Sequence, residues 1–268
     1  MTTPFYFGSN FKMHQTPAQT TAFIAGLLRL APDEPAIQRF LIPPFTSLVT
    51  AAEALQVSTI WLGAQNIHWA EAGAYTGEIS GEMVRAAGAT LVMLGHAERR
   101  TLFGETDEAL RKKVNAAVGA GLRVLLCVGE QAAQRAVGIS DEVIAMQLKT
   151  ALFDLDMGEL PNLLIAYEPV WSIGEGGTPA DPTVVDGMHN WIRRLLIDRF
   201  GEAAHAIPIL YGGSVNRENC ADYAALPNVN GLFVGRAAWT PAGFVDVMRA
   251  GFAAFCEKTR GEDDRMTR

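Results

Sequence analysis

Leu163-Leu-Ile-Ala-Tyr-Glu-Pro-Val-Trp171 decides the reading of this chain. Its first part, Leu163–Tyr167, is a short apolar run with no polar alternation, cut off by a carboxylate and a proline. A strand with one wet face alternates apolar and polar residues, whereas one covered on both faces does not. Seven more runs resemble it: Phe5–Ser9, Arg39–Ile42, Ile60–Ala64, Thr90–Leu94, Arg123–Val128, Ile207–Tyr211 and Gly231–Val234. Amphipathic stretches lie between them, among them Pro17–Leu30, Asp107–Ala120, Asp141–Phe153, Pro182–Phe200 and Pro241–Glu257. Repeated β-then-α units with no second composition regime predict a closed parallel (β/α)8 barrel, a single α/β domain over residues 1–257. A doubly wound open sheet is the rival, but no Gly-x-Gly-x-x-Gly turn follows the first run. Lys258–Arg268 reads as a solvated polar tail, residues 258–268.

The composition fits this expectation. At 268 residues, 49% apolar and 19% charged, the chain has the size and the material for one large core. A net charge of −7 argues against a nucleic-acid partner, which selects dense Lys/Arg stripes. No run reaches membrane-spanning length, and Met1–Gly8 lacks the basic and apolar regions of an export signal, so a soluble, cytoplasmic protein is expected. Cys127, Cys220 and Cys256 are odd in number and widely spaced, which suits a reducing compartment. No Cys/His pairs stand at ligand spacing, so neither a metal nor a cofactor is expected.

A parallel barrel builds its site from the loops that follow its strands. Those positions hold Asn10 and Lys12 after the first run, Gln65 and Asn66 after the third, and His96 and Glu98 after the fourth. Glu168 follows the sixth, Gly212-Gly-Ser214 the seventh and Gly235 the eighth. A Glu after a strand is usually a solvated rim charge, and a lone Lys or glycine pair means as little. A Lys, a His and a Glu on separate strand ends, facing one mouth, carry more weight together. His14, His189 and His205 read as surface residues and His68 as structural, while Cys127 reads as a small buried apolar residue.

At these residues the chain resembles triosephosphate isomerases. Gly8-Ser-Asn-Phe-Lys-Met13 is similar to that family's first-strand motif, with Phe11 where Trp is usual. Gly95-His-Ala-Glu-Arg-Arg100 resembles the fourth, with Ala97 where Ser is usual. Ala166-Tyr-Glu-Pro-Val-Trp-Ser-Ile-Gly174 resembles the sixth strand and its lid, and Tyr211-Gly-Gly-Ser-Val215 and Gly231-Leu-Phe-Val-Gly235 the phosphate turns. The resemblance runs from Phe5 to about Trp239 and implies a TIM barrel. It also implies an isomerase that moves a carbonyl by one carbon through an enediolate. Glu168 would be the base and His96 a neutral electrophile, a pairing taken from the family. Lys12 would supply positive charge and Asn10 a hydrogen bond to substrate oxygen. Backbone N–H groups of Gly174, Ser214, Gly235 and Arg236 would bind the phosphate. Residues Pro169 to Thr178, with Trp171 at the start and Gly176 and Thr178 at the end, would form a lid that excludes water. The loop Gln65–Ser80, carrying Ile67, Trp69 and Tyr75 with Thr76 at its tip, would insert into a second copy of the chain, giving a homodimer.

Several residues depart from the triose pattern. Gly235-Arg-Ala-Ala-Trp239 replaces the usual Gly-Gly pair, Gly177 stands where Lys is common, and Gln65-Asn-Ile-His-Trp69 and Gln38-Arg-Phe-Leu-Ile-Pro-Pro44 complete a distinct set. That set resembles the L-erythrulose-1-phosphate isomerase branch. The expected small phosphorylated sugar is therefore L-erythrulose 1-phosphate, converted to D-erythrulose 4-phosphate, with dihydroxyacetone phosphate as the alternative. Smaller side chains at Phe11 and Ala97 would make room for the extra group. A barrel lyase would need a Schiff-base Lys in a late strand, and none is present. A non-catalytic barrel would be expected to lose Lys12, His96 or Glu168.

Overall fold

A computed structural model describes residues 4–31, 33–174 and 177–266. Among them β1 (Phe5–Asn10), β2 (Ile37–Ile42), β3 (Trp61–Ala64), β4 (Leu91–Leu94), β5 (Arg123–Val128), β6 (Leu163–Tyr167), β7 (Ile209–Tyr211) and β8 (Gly231–Val234) form a closed parallel barrel in sequence order. The helices are α1 (Pro17–Leu30), α2 (Leu48–Ala54), α3 (Gly81–Ala86), α4 (Ala97–Leu102), α5 (Asp107–Gly119), α6 (Ala132–Ala136), α7 (Ser140–Ala151), α8 (Pro182–Phe200), α9 (Cys220–Ala224) and α10 (Pro241–Met266). Local chemistry sets their starts. Thr16 and Gln19 form a capping box ahead of Pro17, and Asp181 accepts from Thr183 N–H ahead of Pro182.

Strand periodicity sorts the apolar residues into two layers. Phe40, Ile42, Leu91, Met93, Leu125, Cys127, Leu164, Ala166, Leu210 and Phe233 fill the barrel interior. Their neighbours Leu41, Val92, Leu94, Leu126, Ile165 and Tyr167 point outward into the layer under the helices. Both layers are dry, which is why the strands read as continuous apolar runs. Fully burying each such side chain stabilises the fold by about 1.5–3 kcal/mol. Gly8 makes room inside: a Cβ there would lie 2.2 Å from the Phe40 ring.

Three sequence expectations change. The polar stretch from Lys258 is not set off as a tail, because α10 runs unbroken to Met266 and the Lys258 ammonium donates to the carbonyls of Leu226 (2.9 Å) and Val229 (2.8 Å). Phe11 lies in the outer core, 0% exposed, edge-on to Phe23, and opens no space at the barrel mouth. His189 is not a surface residue: it is 0% exposed, with Nδ1 3.0 Å from the Asn228 carbonyl and its ring edge-on to Tyr167.

Burial pushes the His189 imidazole from an ordinary 6.5 down to about 4, against the opposing pull of the Asn228 carbonyl. A depressed folded-state value means that the unfolded chain takes the proton first as pH falls. Stability from neutral His189 is therefore full above about pH 6.5 and lost as pH drops toward 4. Urea unfolding at pH 7 and pH 5 should show about 2 kcal/mol more loss in the native chain than in His189→Asn. Equal pH dependence of the two would show that His189 is not the group responsible.

Candidate active site

The alternation of β6 aims its last residues. Leu164 and Ala166 face the interior while Leu163, Ile165 and Tyr167 face out, so the next residue, Glu168, turns inward above Ala166. Its carboxylate is 2% exposed, and its backbone N–H donates to the Val128 carbonyl at 2.8 Å. The same parity brings Asn10 inward at the end of β1, 4% exposed. After β4, Gly95 turns the chain at φ 76°, and His96 becomes the N-cap of α4. There the His96 Nδ1 accepts from the Glu98 N–H at 3.2 Å. An accepting Nδ1 leaves the ring proton on Nε2, which faces the carboxylate.

These groups meet in one cavity of about 500 Å³. Asn10, Lys12, His96, Glu168, Gly174, Ser214, Gly235 and Arg236 all line it. The His96 Nε2 lies 3.6 Å from Glu168 Oε1, and Glu168 Oε2 accepts from the Ala97 N–H at 3.2 Å. Ala97 therefore offers only its amide, where a serine would bring a hydroxyl as well. Lys12 donates to Glu98 at 2.6 Å, and its own N–H donates to the Asn10 side-chain oxygen at 2.8 Å. Gln65 ties the same oxygen (3.1 Å) and the Lys12 carbonyl (2.7 Å) to the end of β3. Beneath the carboxylate, burial and then the charge of Glu168 push the Cys127 thiol well above its ordinary value, so it is no nucleophile.

The expected phosphate turns border this cavity with a preorganised backbone. The Ser214 N–H donates to the Ser172 hydroxyl at 3.2 Å, and Asn219 holds the Ser214 carbonyl at 3.0 Å. Arg236 is exposed at the cavity rim. On the expected lid, Pro169 is buried, and the Trp171 indole donates to Glu130 at 2.7 Å with the Arg135 guanidinium 4.2 Å over its ring. Thr178 is exposed, and Gly176 lies outside the described residues. Gly177 faces the cavity, and a Cβ there would come within 2.5 Å of the Ser172 carbonyl. No side chain fits at that position in this arrangement of the lid.

Sequence reading passed over several supports. Glu130, 1% exposed, accepts from Tyr167 as well as Trp171 and anchors the segment that follows β6. Glu105 accepts from the Gly95 N–H (3.1 Å) just before His96 and pairs with Lys113 and Arg99. Burial opposes ionisation of Glu105, but its bond to Lys113 and the charges of Lys113 and Arg99 hold its carboxyl below the usual range. Each carboxylate follows a strand or short helix, as Glu168 does, and nothing local in sequence separates them. Ile67 is buried in the chain's own core, whereas Trp69 and Tyr75 are 37% and 47% exposed, stacked about His68, and Thr76 is exposed at the loop tip. Among the described residues no cluster of His, Cys, Asp or Glu has metal-holding geometry, and no helix is long and apolar enough to cross a membrane.

Fold and site together define a parallel-barrel enzyme with a carboxylate, an imidazole and an ammonium at its carboxyl-terminal mouth. The sequence pattern of triosephosphate isomerase matches residues 5–251. The chain is 41% identical over 260 residues to an L-erythrulose-1-phosphate isomerase of Rhizobium rhizogenes, covering 96% of this chain and 97% of the relative. It is 42% identical over 247 residues to one of Rhizobium meliloti, covering 91% and 95%. A triosephosphate isomerase of Solibacter usitatus is 41% identical over 240 residues, covering 89% and 96%. This chain belongs to the triosephosphate isomerase family and is a sugar-phosphate isomerase.

Gly129 sets how closely β5 and β6 approach under the carboxylate. A Cβ there would lie 1.8 Å from the Glu168 carbonyl, so Gly129→Ala must push the Glu168 backbone aside. Displacement of a reacting group by about 1 Å costs on the order of 100-fold in rate. Turnover of a sugar phosphate by Gly129→Ala should fall by that order while far-UV circular dichroism stays native. Undiminished turnover would show that the Glu168 position tolerates the shift.

Proposed function

We propose that this enzyme interconverts L-erythrulose 1-phosphate and D-erythrulose 4-phosphate. Glu168 takes the proton from C3, and the electron pair forms the C2–C3 double bond of an enediolate. The His96 Nε2–H protonates the developing oxyanion on O2, and the proton of O3 passes to the imidazole. Return of the proton from Glu168 to C2 leaves the carbonyl at C3 and regenerates both groups. Lys12 stabilises the oxyanion and phosphate, and Asn10 a substrate oxygen. Gly174, Gly235 and Arg236 give backbone N–H groups to the phosphate, Ser214 does so by exchanging its bond to the Ser172 hydroxyl, and the lid from Pro169 to Thr178 excludes the water that promotes phosphate loss. The reading rests above all on Glu168 Oε1 and His96 Nε2, both buried, 3.6 Å apart at the edge of a cavity shared with Lys12.

The four-carbon substrate is supported by the Rhizobium relatives, named L-erythrulose-1-phosphate isomerases, and by Gly177 and Arg236, which line the cavity where the triose pattern has other residues. Triosephosphate isomerisation is the second reading, favoured by the Solibacter relative at 41% identity. Glu168→Gln should lose at least 10²–10⁴-fold in kcat with the fold intact, since an amide does not accept the proton. A few-fold loss would remove Glu168 as the base. Assayed side by side, L-erythrulose 1-phosphate should exceed dihydroxyacetone phosphate in kcat/KM by roughly 10–200-fold, the discrimination available from one small group. Parity, or the reverse order, would return the chain to the triose reaction.

The working form is proposed to be a cytoplasmic homodimer, with the loop around Thr76 seated on a second copy. The partly exposed Trp69 and Tyr75 on that loop support a covered surface there. Sedimentation should give twice the chain mass. A monomer that keeps full activity at nanomolar concentration would refute the assembly.

A further inference from the structure

The loop that presents Lys12 carries an unfavourable backbone. Among the described residues, Lys12 (φ 51°) and Gln15 (φ 73°) are the non-glycine residues with positive φ, and Met13 and His14 lie between them. A left-handed residue with a Cβ persists only where its surroundings over-determine it. Three restraints on Lys12 come from groups already placed at the site: Asn10, Gln65 and Glu98. A fourth acts through Asn10, from a residue 229 positions further along the chain. The Trp239 indole Nε1–H donates to the Asn10 carbonyl at 2.9 Å, and the Trp239 ring stands 4.5 Å from the His14 ring. The indole thus grips the loop before and after Lys12, and it also lines the cavity.

We infer that Trp239 is a positioning residue for Lys12, fixing the left-handed turn that directs the ammonium into the site. This rests on the reading of the cavity as a sugar-phosphate site. Indole is suited to the task. Its N–H is a donor only, so it has no alternative role at the carbonyl, and its ring packs at a tilt against the imidazole at the same time. The turn after β8 that carries Trp239 also carries Gly235 and Arg236, so one short segment would set both the phosphate contacts and the Lys12 geometry.

The test is calorimetric binding of 2-phosphoglycolate, whose phosphate and carboxylate mimic a phosphorylated enediolate whichever sugar is turned over. Trp239→Phe keeps a ring against His14 and removes the N–H. It should weaken binding about tenfold, the size of one hydrogen bond. In a Lys12→Ala background the same change should cost under roughly twofold, because the group it positions is gone. Equal losses in both backgrounds would make Trp239 merely structural, and no loss in either would remove it altogether. Should Trp239→Phe fail to fold, His14→Ala removes only an exposed ring and should weaken binding about threefold; unchanged binding there would overturn the inference. No binding by the unaltered chain would sink the cavity reading and the inference with it, whereas binding insensitive to Trp239→Phe sinks the inference alone.

Discussion

Closure of the sheet by the β8–β1 ladder is the constraint on which the site depends. Tyr6 pairs with Gly231, Phe7 with Leu232, Gly8 with Phe233 and Ser9 with Val234. The approach is close enough that a Cβ on Gly231 would lie 2.1 Å from the Tyr6 carbonyl. Only a glycine lets the first and last strands meet in this register. Once they meet, Asn10 and Lys12 stand beside Gly235, Arg236 and Trp239, although nearly the whole chain separates them. An open sheet would leave these groups on opposite edges, and the cavity would have no wall on one side.

Charge around the mouth is balanced by pairing, from the partly exposed Lys12–Glu98 pair to the buried Glu105–Lys113 pair. Lys12 meets Glu98, Glu105 meets Lys113 and Arg99, and Arg100 meets Asp107. Glu168 is the exception. Its carboxylate is 2% exposed, with the Ala97 amide as a hydrogen-bond donor and His96 beyond hydrogen-bond range. A carboxylate with so few donors keeps its oxygens available as proton acceptors toward the cavity that it lines. Glu130 makes the opposite case, held by both Tyr167 and Trp171, and it ties the segment after β6 to the end of β5.

The barrel was legible because the strongest signal, runs apolar on both faces, is produced by the very burial that defines a parallel barrel. Leu163–Tyr167, Arg123–Val128 and Gly231–Val234 fall where the runs do. The exceptions have local causes. β2 begins at Ile37, two residues before the run, because polar Gln38 interrupts the apolar pattern within the strand, while Arg39, at the start of the run, is buried by bonding the Ala31 carbonyl and Asp33. His189 was hidden by residue type alone. It stands four residues after Val185 and three before Ile192, on the buried stripe of α8, so helical spacing places it inside while its polarity suggests the surface. The far end of α10 escaped because extending a formed helix is far easier than nucleating one, so a polar segment follows its predecessor. Clustering at strand ends made the candidate site residues legible, but supports such as Trp239, Glu105 and Glu130 depend on contacts between distant turns, which no local pattern encodes.

The departures from the triose pattern divide once they are placed in space. Phe11 points outward by the parity that brings Asn10 inward, and it packs on Phe23, so its size is matched to α1 rather than to substrate. Ala97 acts on the carboxylate by withholding a hydroxyl. Gly177, Arg236 and Trp239, in contrast, all border the cavity, and they come from the lid and the last turn. The barrel interior is sealed by Phe40, Leu125, Leu164 and Phe233, close-packed residues that resist a change of one methylene. Loops bear no such restriction, since their side chains face space on one side. Room for a fourth carbon would therefore be made at the rim, by shortening a side chain after β6 and reshaping the turn after β8, while Glu168 and His96 stay where β6 and β4 place them.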